Sequence, residues 1–227
     1  MKLRFLLVAI LLGLPMPSCS LPEKIEVTVD EGPLKYSEQT EYPGVQKSDL
    51  FVFVGEKVEV VEAIQPQGEA WFDAVFDAKY RVLEPVYGEF EGNTIEFRVF
   101  DHYGYPPFAK YPHSLLFVSK HEGKLYHEKY QYHTVYKTID GRWAACGDPY
   151  IHGMEYHRKP FTPKPLTFAE PITFDLAKYT DKQKKAIFAE PYFEIENGKA
   201  VCKMGAFVDE LFQINRDGVL KARGVGQ

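Results

Sequence analysis

All seven histidines of the chain lie between residues 102 and 157, and imidazole nitrogen is a common ligand for zinc and copper. His127 and His133 are six residues apart on one predicted strand. At about 3.3 Å per residue their Cα atoms would lie about 20 Å apart, too far to share an ion. The sequence contains no His-x-His, His-Glu-x-x-His or Cys-x-x-Cys motif. A metal site would therefore have to combine His102, His121 and His127 from neighbouring strands. We assign no metal or other cofactor.

Two dipeptides pair a carboxylate with a histidine, as general acid and base catalysis requires: Asp101-His102 and His121-Glu122. Adjacent residues on a strand point to opposite faces, so neither dipeptide forms a dyad by itself. The sequence also lacks a Gly-x-Ser-x-Gly elbow and a phosphate-binding glycine loop. We assign no catalytic residue, and a hydrolase-like exported enzyme is the alternative interpretation.

Aromatic residues make up 15% of the chain and are frequent after residue 102. Their rings can stack on sugars or grip a peptide on a barrel face and its loops. The ligand-binding candidates are Tyr103, Tyr105, Tyr111 and Trp143, and we expect some side chains on the 103–111 loop and around Trp143 to be exposed. We expect most of the other tyrosines to pack a barrel against the chain that covers it.

Residues 1–20 have the composition of a signal peptide, because Lys2 and Arg4 precede a ten-residue apolar run that ends in prolines and small residues. The segment Met16-Pro17-Ser18-Cys19 is similar to the lipobox of bacterial lipoproteins, which makes Cys19 a lipidation candidate. Ordinary cleavage after Ser20 is the alternative. Both predict an exported protein, either periplasmic or anchored in the outer membrane.

Whether Cys19 is lipidated or removed by cleavage after Ser20, two cysteines remain with a thiol, Cys146 and Cys202. A pair of cysteines in an exported chain predicts a disulfide. The alternative is two buried free thiols.

The elements that must position these residues are mainly strands. Apolar residues alternate with charged ones in two segments after Phe72: Phe76, Ala78, Tyr80 and Val82, then Ile95, Phe97 and Val99. This period of two predicts a pair of half-buried antiparallel strands. Before them, Val52, Val54, Val58 and Val60 are predicted to share one strand face, with a bulge at Gly55.

A Gly-containing turn at 121–124 joins an apolar run, 114–119, to a strand over 125–136, which predicts a hairpin. On the second strand, one face is predicted to carry Tyr126, Tyr130, Tyr132 and Tyr136. The other is predicted to carry His127, His133 and Val135. Together the strands predict a mainly β fold with an OB-like five-stranded barrel over residues 50–145.

The flanking regions are predicted to be less regular. Residues 21–49 indicate a short strand and a tether, and 146–227 form an irregular, proline-rich and small α+β extension that the disulfide ties to the barrel. Within the extension we predict a helix over 180–189 and a hairpin turning at Asn197-Gly198. For 205–227 we predict a short helix followed by a turn.

The barrel strands resemble the first three strands of the netrin-like OB-fold, the barrel of the tissue inhibitors of metalloproteinases and of some bacterial envelope proteins. The resemblance covers about residues 50–101 and includes Val52-Phe53-Val54-Gly55, Phe76 to Leu83 and Ile95-Glu96-Phe97. It implies a five-stranded barrel. It does not imply protease inhibition, because the amino-terminal cysteine and Cys-x-Cys pattern of the inhibitors are missing.

The formal net charge of −5 and the lack of a long Lys/Arg cluster argue against a nucleic-acid partner. We predict a non-catalytic cell-envelope binding or scaffolding protein, whose partner would be a protein, peptide or glycan. Membrane contact would occur only through a lipid on Cys19. The alternatives are the exported enzyme and a metal-binding protein that uses the histidine-rich region 102–157.

Overall fold

The computed structural model describes residues 49–64, 72–151 and 158–226. The predicted signal peptide, the lipidation candidate Cys19 and the predicted strand and tether, apart from Asp49, lie outside these residues. Among the described residues, no helix has the length and apolar character needed to cross a bilayer.

Five strands form a closed barrel, which confirms the predicted mainly β, OB-like class. They are β1 (Leu50–Glu62), β2 (Ala74–Tyr87), β3 (Thr94–Asp101), β4 (His113–His121) and β5 (Lys124–Thr134). The order around the barrel is β1-β2-β3-β5-β4, and β4 pairs back onto β1. All neighbours are antiparallel except β3 and β5, which are parallel.

The predicted alternation places the expected side chains inside the barrel. The interior cluster contains the apolar residues of β2 and β3 named from the sequence, with Val82 partly buried. A 3₁₀ turn, Pro107–Lys110, lies between β3 and β4, and its Phe108 is fully buried in the same cluster. The predicted inward faces of β2 and β3 are therefore confirmed.

The first six residues of β1 and most of β4 are buried on both faces. Phe51 and Phe53 point into the barrel, whereas Leu50, Val52 and Val54 belong to a second cluster outside it. The register of β1 shifts at Gly55, which confirms the predicted bulge, and shifts again between Lys57 and Glu59. The prediction that the four valines share a face is wrong, because Val60 packs with the interior cluster and Val58 is exposed. The shift between Lys57 and Glu59 adds one residue, Val58, to β1 relative to β2, and this reverses the alternation of β1 before Val60.

β5 contains a large bulge, residues 128–131, which we call the β5 bulge. Leu116 of β4 pairs with Tyr132, and Val118, two positions further along β4, pairs with His127, five positions away along β5. Within the bulge, Tyr130 adopts a φ of 66°. Three additional residues reverse the alternation of the strand.

The reversal contradicts the predicted faces of this strand. His127 contacts Phe97 and Phe108 inside the barrel, whereas His133 contacts Phe117 on the outside. The prediction that the two histidines share a face is therefore wrong.

The strands after β5 belong to the extension. It contains β6 (Tyr136–Lys137), β7 (Trp143–Cys146), β8 (Lys164–Pro165), β9 (Thr173–Asp175), a 3₁₀ turn (Leu176–Lys178), α1 (Asp181–Ile187), β10 (Phe193–Glu196), β11 (Lys199–Cys202), β12 (Met204–Phe207), α2 (Val208–Asn215) and a π-type helical segment (Arg216–Leu220). One sheet has the order β6-β7-β12-β8 and the other β10-β11-β9. The barrel thus ends at Thr134, ahead of the predicted boundary at 145.

Local signals in the extension agree with the structure. Thr180 caps α1 through a reciprocal pair of bonds with Gln183, a capping box. Asn197 and Gly198 both have positive φ in the β10–β11 turn, as a tight hairpin requires. In the tail, the predicted helix is α2, and the segment after it is kinked at Gly218, whose φ of −104° and ψ of −105° are not helical, at the position of the predicted turn.

The disulfide between Cys146 and Cys202 is present, with Cα atoms 6.1 Å apart. It links β7 to the end of β11, one residue before β12 begins. The bond therefore joins the two sheets of the extension.

Candidate binding site

Four rings form a continuous cluster at one end of the barrel, which we call the aromatic patch: Phe72, His102, Tyr103 and Tyr130. The Phe72 ring stacks on His102 at 4.9 Å, Tyr103 meets His102 edge-on at 5.4 Å, and the Tyr103 and Tyr130 centroids lie 5.8 Å apart. Phe72 is 88% exposed, Tyr103 85% and Tyr130 40%. The patch therefore presents aromatic surface to solvent.

The barrel strands bring these rings together. Ala74 pairs with Asp101, so the residues that precede β2 and follow β3 are neighbours. Asp101 is buried, and its Oδ1 accepts a 2.8 Å bond from the Tyr103 amide, which fixes the turn after β3. The Tyr130 hydroxyl accepts a 3.4 Å bond from the His102 amide. The β5 bulge thus positions the Tyr130 ring in the patch.

An ion pair lies beside the rings. Lys129 Nζ donates to Asp73 Oδ2 at 2.6 Å, and this bond holds the pKa of Lys129 above its ordinary value. His102 Nδ1 lies 3.5 Å from Asp73 Oδ1, a buried atom for which the described residues supply no hydrogen bond. The Lys129 ammonium also lies 5.4 Å from the Tyr130 ring centroid. The patch therefore has one ammonium and one carboxylate group paired beside its rings.

The structure separates the predicted ligand-binding candidates. Tyr103 is the most exposed of the four, while Tyr105 and Tyr111 are partly exposed. Trp143 is only 4% exposed and packs against His113 with a ring distance of 4.9 Å, so the expected exposure at Trp143 is wrong. Its indole lies in the core between the barrel and α2. Sequence analysis missed Phe72 and Tyr130 as members of the patch.

The predicted metal candidates are not brought together. His102 lies in the aromatic patch, His121 is exposed at the turn between β4 and β5, and His127 is buried inside the barrel. Within residues 49–64, 72–151 and 158–226, no group of three or more histidine, cysteine or acidic side chains could hold a metal ion.

The acid and base pairs considered from the sequence also lie apart. His121 Nε2 lies 4.0 Å from Glu122 at the exposed hairpin end, whereas Asp101 caps the turn beside the patch. Asp101 therefore has a structural role: it ends β3 and accepts the hydrogen bond that fixes the following turn.

A groove of about 550 Å³ runs along the outer face of β2 and β3, the face on which OB barrels bind ligands. Ion pairs cross this face, with Lys79 Nζ 2.7 Å from Glu96 and Arg98 Nε 3.0 Å from Asp77. A ligand in the groove would have to compete with these pairs. At the aromatic patch the Asp73–Lys129 pair lies beside the rings, and Phe72 and Tyr103 are exposed to solvent, so the patch is the stronger candidate.

A buried polar network connects the barrel interior with α2. His127 Nε2 donates to the Gln131 carbonyl at 2.9 Å, Asn215 Nδ2 donates to Gln131 Oε1 at 2.9 Å, and His133 Nε2 donates to Asn215 Oδ1 at 2.7 Å. All four residues are buried. Burial, partly offset by the Gln131 bond, lowers the pKa of His127 to about 3. The network holds the β5 bulge in place.

No family model, curated protein or solved structure matches the chain. The closed five-stranded barrel is observed, and the netrin-like assignment has no further support from these comparisons.

Proposed function

We propose that the chain is an exported, non-catalytic binding or scaffolding protein of the cell envelope, and that the aromatic patch is its contact surface. The observation that carries the proposal is the exposure of Phe72 and Tyr103, each above four-fifths, within a cluster of four rings in mutual contact. A contiguous group of exposed apolar side chains often marks a site of interaction with a partner.

The partner that best fits the patch is another protein. Small ligands are bound in concave sites that bury most of their surface, whereas these rings project into solvent. Tyrosine is enriched among the residues that dominate protein–protein binding energy, and polar groups at the rim exclude water and set orientation. The Asp73–Lys129 pair supplies such polar groups.

Export rests on the composition of residues 1–20, and the Cys146–Cys202 disulfide is compatible with it. The intact mass of the mature protein distinguishes a lipidated chain from one cleaved after Ser20. Acylation of Cys19 adds the mass of the lipid, whereas cleavage after Ser20 removes the cysteine. The netrin-like assignment stays a prediction, supported by the closed barrel.

The test is capture from a cell-envelope fraction with immobilised wild-type protein and a Phe72→Ser/Tyr103→Ser double variant. Ile139→Ser is the matched control, since Ile139 is 71% exposed and lies outside the patch. A protein held by the wild type and the control should then bind purified wild-type chain directly, and the double variant should weaken that binding at least about tenfold.

Two results would contradict the proposal. One is equal binding by the wild type and the double variant. The other is retention of glycan alone, because a polysaccharide would then be the partner. Thermal unfolding midpoints confirm that each variant is folded.

A further inference from the structure

A cleft of about 490 Å³ lies between the barrel and the extension, away from the aromatic patch. Thr134 and Tyr136, from the end of β5 and from β6, line one side. Phe174, Tyr179 and Phe188, from β9 to the end of α1, line the other. This volume falls within the range of small-molecule sites, which are concave and mostly apolar with a few polar groups.

One wall of the cleft is a set of three phenylalanines in mutual contact. Phe188 and Phe193 meet edge-on with centroids 5.1 Å apart, and Phe174 lies 5.3 Å from Phe188 and 5.9 Å from Phe193. Phe188 and Phe193 are buried in the third hydrophobic cluster of the chain. Phe174 is the partly exposed ring of the three, and its packing against the buried Phe188 and Phe193 makes this wall a rigid apolar surface.

Three tyrosines contribute hydroxyl groups to the cleft, beside the polar side chains of His133, Thr134 and Asp148. Tyr111, Tyr136 and Tyr179 all line it, and Tyr136 interacts electrostatically with the other two. Burial, together with Tyr111 and Tyr179, raises the pKa of Tyr136 to about 12. Its hydroxyl therefore stays protonated at physiological pH, and it can both donate and accept a hydrogen bond.

The charged group at the cleft is already paired. Asp148 Oδ2 accepts from Arg158 Nη2 at 2.8 Å, and Asp148 Oδ1 accepts from the Tyr150 amide at 3.0 Å. His133, at the cleft edge, donates to Asn215. The described lining residues thus offer a ligand no further charge, which disfavours ionic ligands.

We propose that this cleft binds an uncharged carbohydrate of one or two rings, with the apolar face of a sugar ring against the phenylalanine wall and its hydroxyls bonded to the tyrosines. A sugar ring combines an apolar face with hydroxyl groups at its edge, which matches the two surfaces of the cleft. The proposal is independent of the aromatic patch, because none of the patch rings lines the cleft.

The experiment is a titration of isotope-labelled, disulfide-bonded protein, followed by amide chemical shifts in two-dimensional NMR. The probes are chitobiose and maltose as uncharged disaccharides, galacturonic acid as a charged sugar and trialanine as a short peptide. We expect at least one uncharged disaccharide to shift the amides of residues such as Thr134, Tyr136 and Phe188 at millimolar concentration. The charged sugar and the peptide should leave them unchanged.

Two variants remove one hydroxyl each and retain the ring: Tyr136→Phe and Tyr179→Phe. Each should weaken binding of the active disaccharide by about twofold to tenfold, the usual effect of one lost hydrogen bond. The matched control is Tyr126→Phe, since Tyr126 stacks on Phe100 outside the cleft and should leave the affinity unchanged. Unfolding midpoints equal to that of the wild type show that the variants report on binding.

The proposal is overturned if neither disaccharide shifts any cleft amide, if the shifts map elsewhere, or if the peptide or the charged sugar binds the cleft in their place. Loss of partner binding in the Phe72→Ser/Tyr103→Ser variant tests the patch alone, so failure at one site is distinguishable from failure at the other.

Discussion

At the residue scale, the buried polar network links four polar side chains, from His127 inside the barrel to Asn215 on α2. Asn215 is 1% exposed, and both its oxygen and its nitrogen have partners, in His133 and Gln131. Buried polar groups are tolerated when their hydrogen bonds are made, and they become costly when one partner is lost. The network therefore favours one arrangement of α2 against the barrel.

His127 makes the stability of the fold dependent on pH. Its pKa is about 3 in the folded state and ordinarily 6.5, so the unfolded chain takes up a proton first as pH falls. We expect the free energy of unfolding to decrease below pH 6.5, by about 2 kcal/mol at pH 5 relative to neutral pH. Urea unfolding at several pH values measures this.

In a His127→Phe variant, the slope of unfolding free energy against pH should decrease by the contribution of about one proton. The phenyl ring should keep the contacts with Phe97 and Phe108. The control is His121→Gln, which removes a histidine that is exposed at the turn between β4 and β5. Equal slopes in the wild type and His127→Phe would show that burial of His127 does not shift its titration.

At the element scale, the strands could be predicted where the sequence pattern and the pairing agree. Phe76 to Tyr80 and Ile95 to Val99 alternate without interruption, and both segments face the interior as predicted. The β5 bulge could not be predicted, because its partners are distant in sequence. Arg223 donates two 3.1 Å bonds to the Lys129 carbonyl, and Asn215 bonds Gln131.

The candidate site could be predicted only in part for the same reason. Tyr103 follows a clear strand and a turn residue, Asp101, so its exposure could be expected. Tyr130 reaches the patch through the bulge, and Phe72 through the pairing of the start of β2 with the end of β3. The local signal in the sequence that could have indicated a site at Phe72 was the carboxylate of the next residue, Asp73.

The disulfide closes a sequence separation of 56 residues that includes most of the extension. On the chain-entropy model, a loop of this length stabilises the fold by about 4 kcal/mol. We expect a Cys146→Ala/Cys202→Ala variant to lose about that much unfolding free energy in chemical denaturation. Dithiothreitol should destabilise the wild type similarly and leave the variant unchanged. A wild-type midpoint that resists the reductant would contradict the expectation.

At the scale of the whole molecule, β1 and β4 form a wall between two hydrophobic clusters. The barrel interior lies on one side, and α2, β7 and β12 cover the other, with Leu211 and Leu220 fully buried. The Tyr87 ring, at the end of β2, stacks on Phe212 at 4.8 Å. Barrel and extension therefore share one hydrophobic cluster, in which residues of α2 and the segment after it cover the outer side of β1 and β4.

Truncation of Leu211 tests that arrangement. Leu211→Ala should lower the free energy of unfolding by about 3 kcal/mol, because the cavity would lie in the shared cluster. The control on the same helix is Gln213→Ala, whose side chain is exposed and should change stability by less than about 0.5 kcal/mol. A Leu211→Ala protein as stable as the control would mean that the tail does not contribute to the barrel.

The two-sided burial of β1 has a consequence for biogenesis. The strand is made early, whereas the helix that shields its outer surface emerges from the ribosome much later, after every other strand. Until then Leu50, Val52 and Val54 remain available to chaperones or to neighbouring nascent chains. We expect the amino-terminal part of the barrel to complete its folding only after α2 has been synthesised.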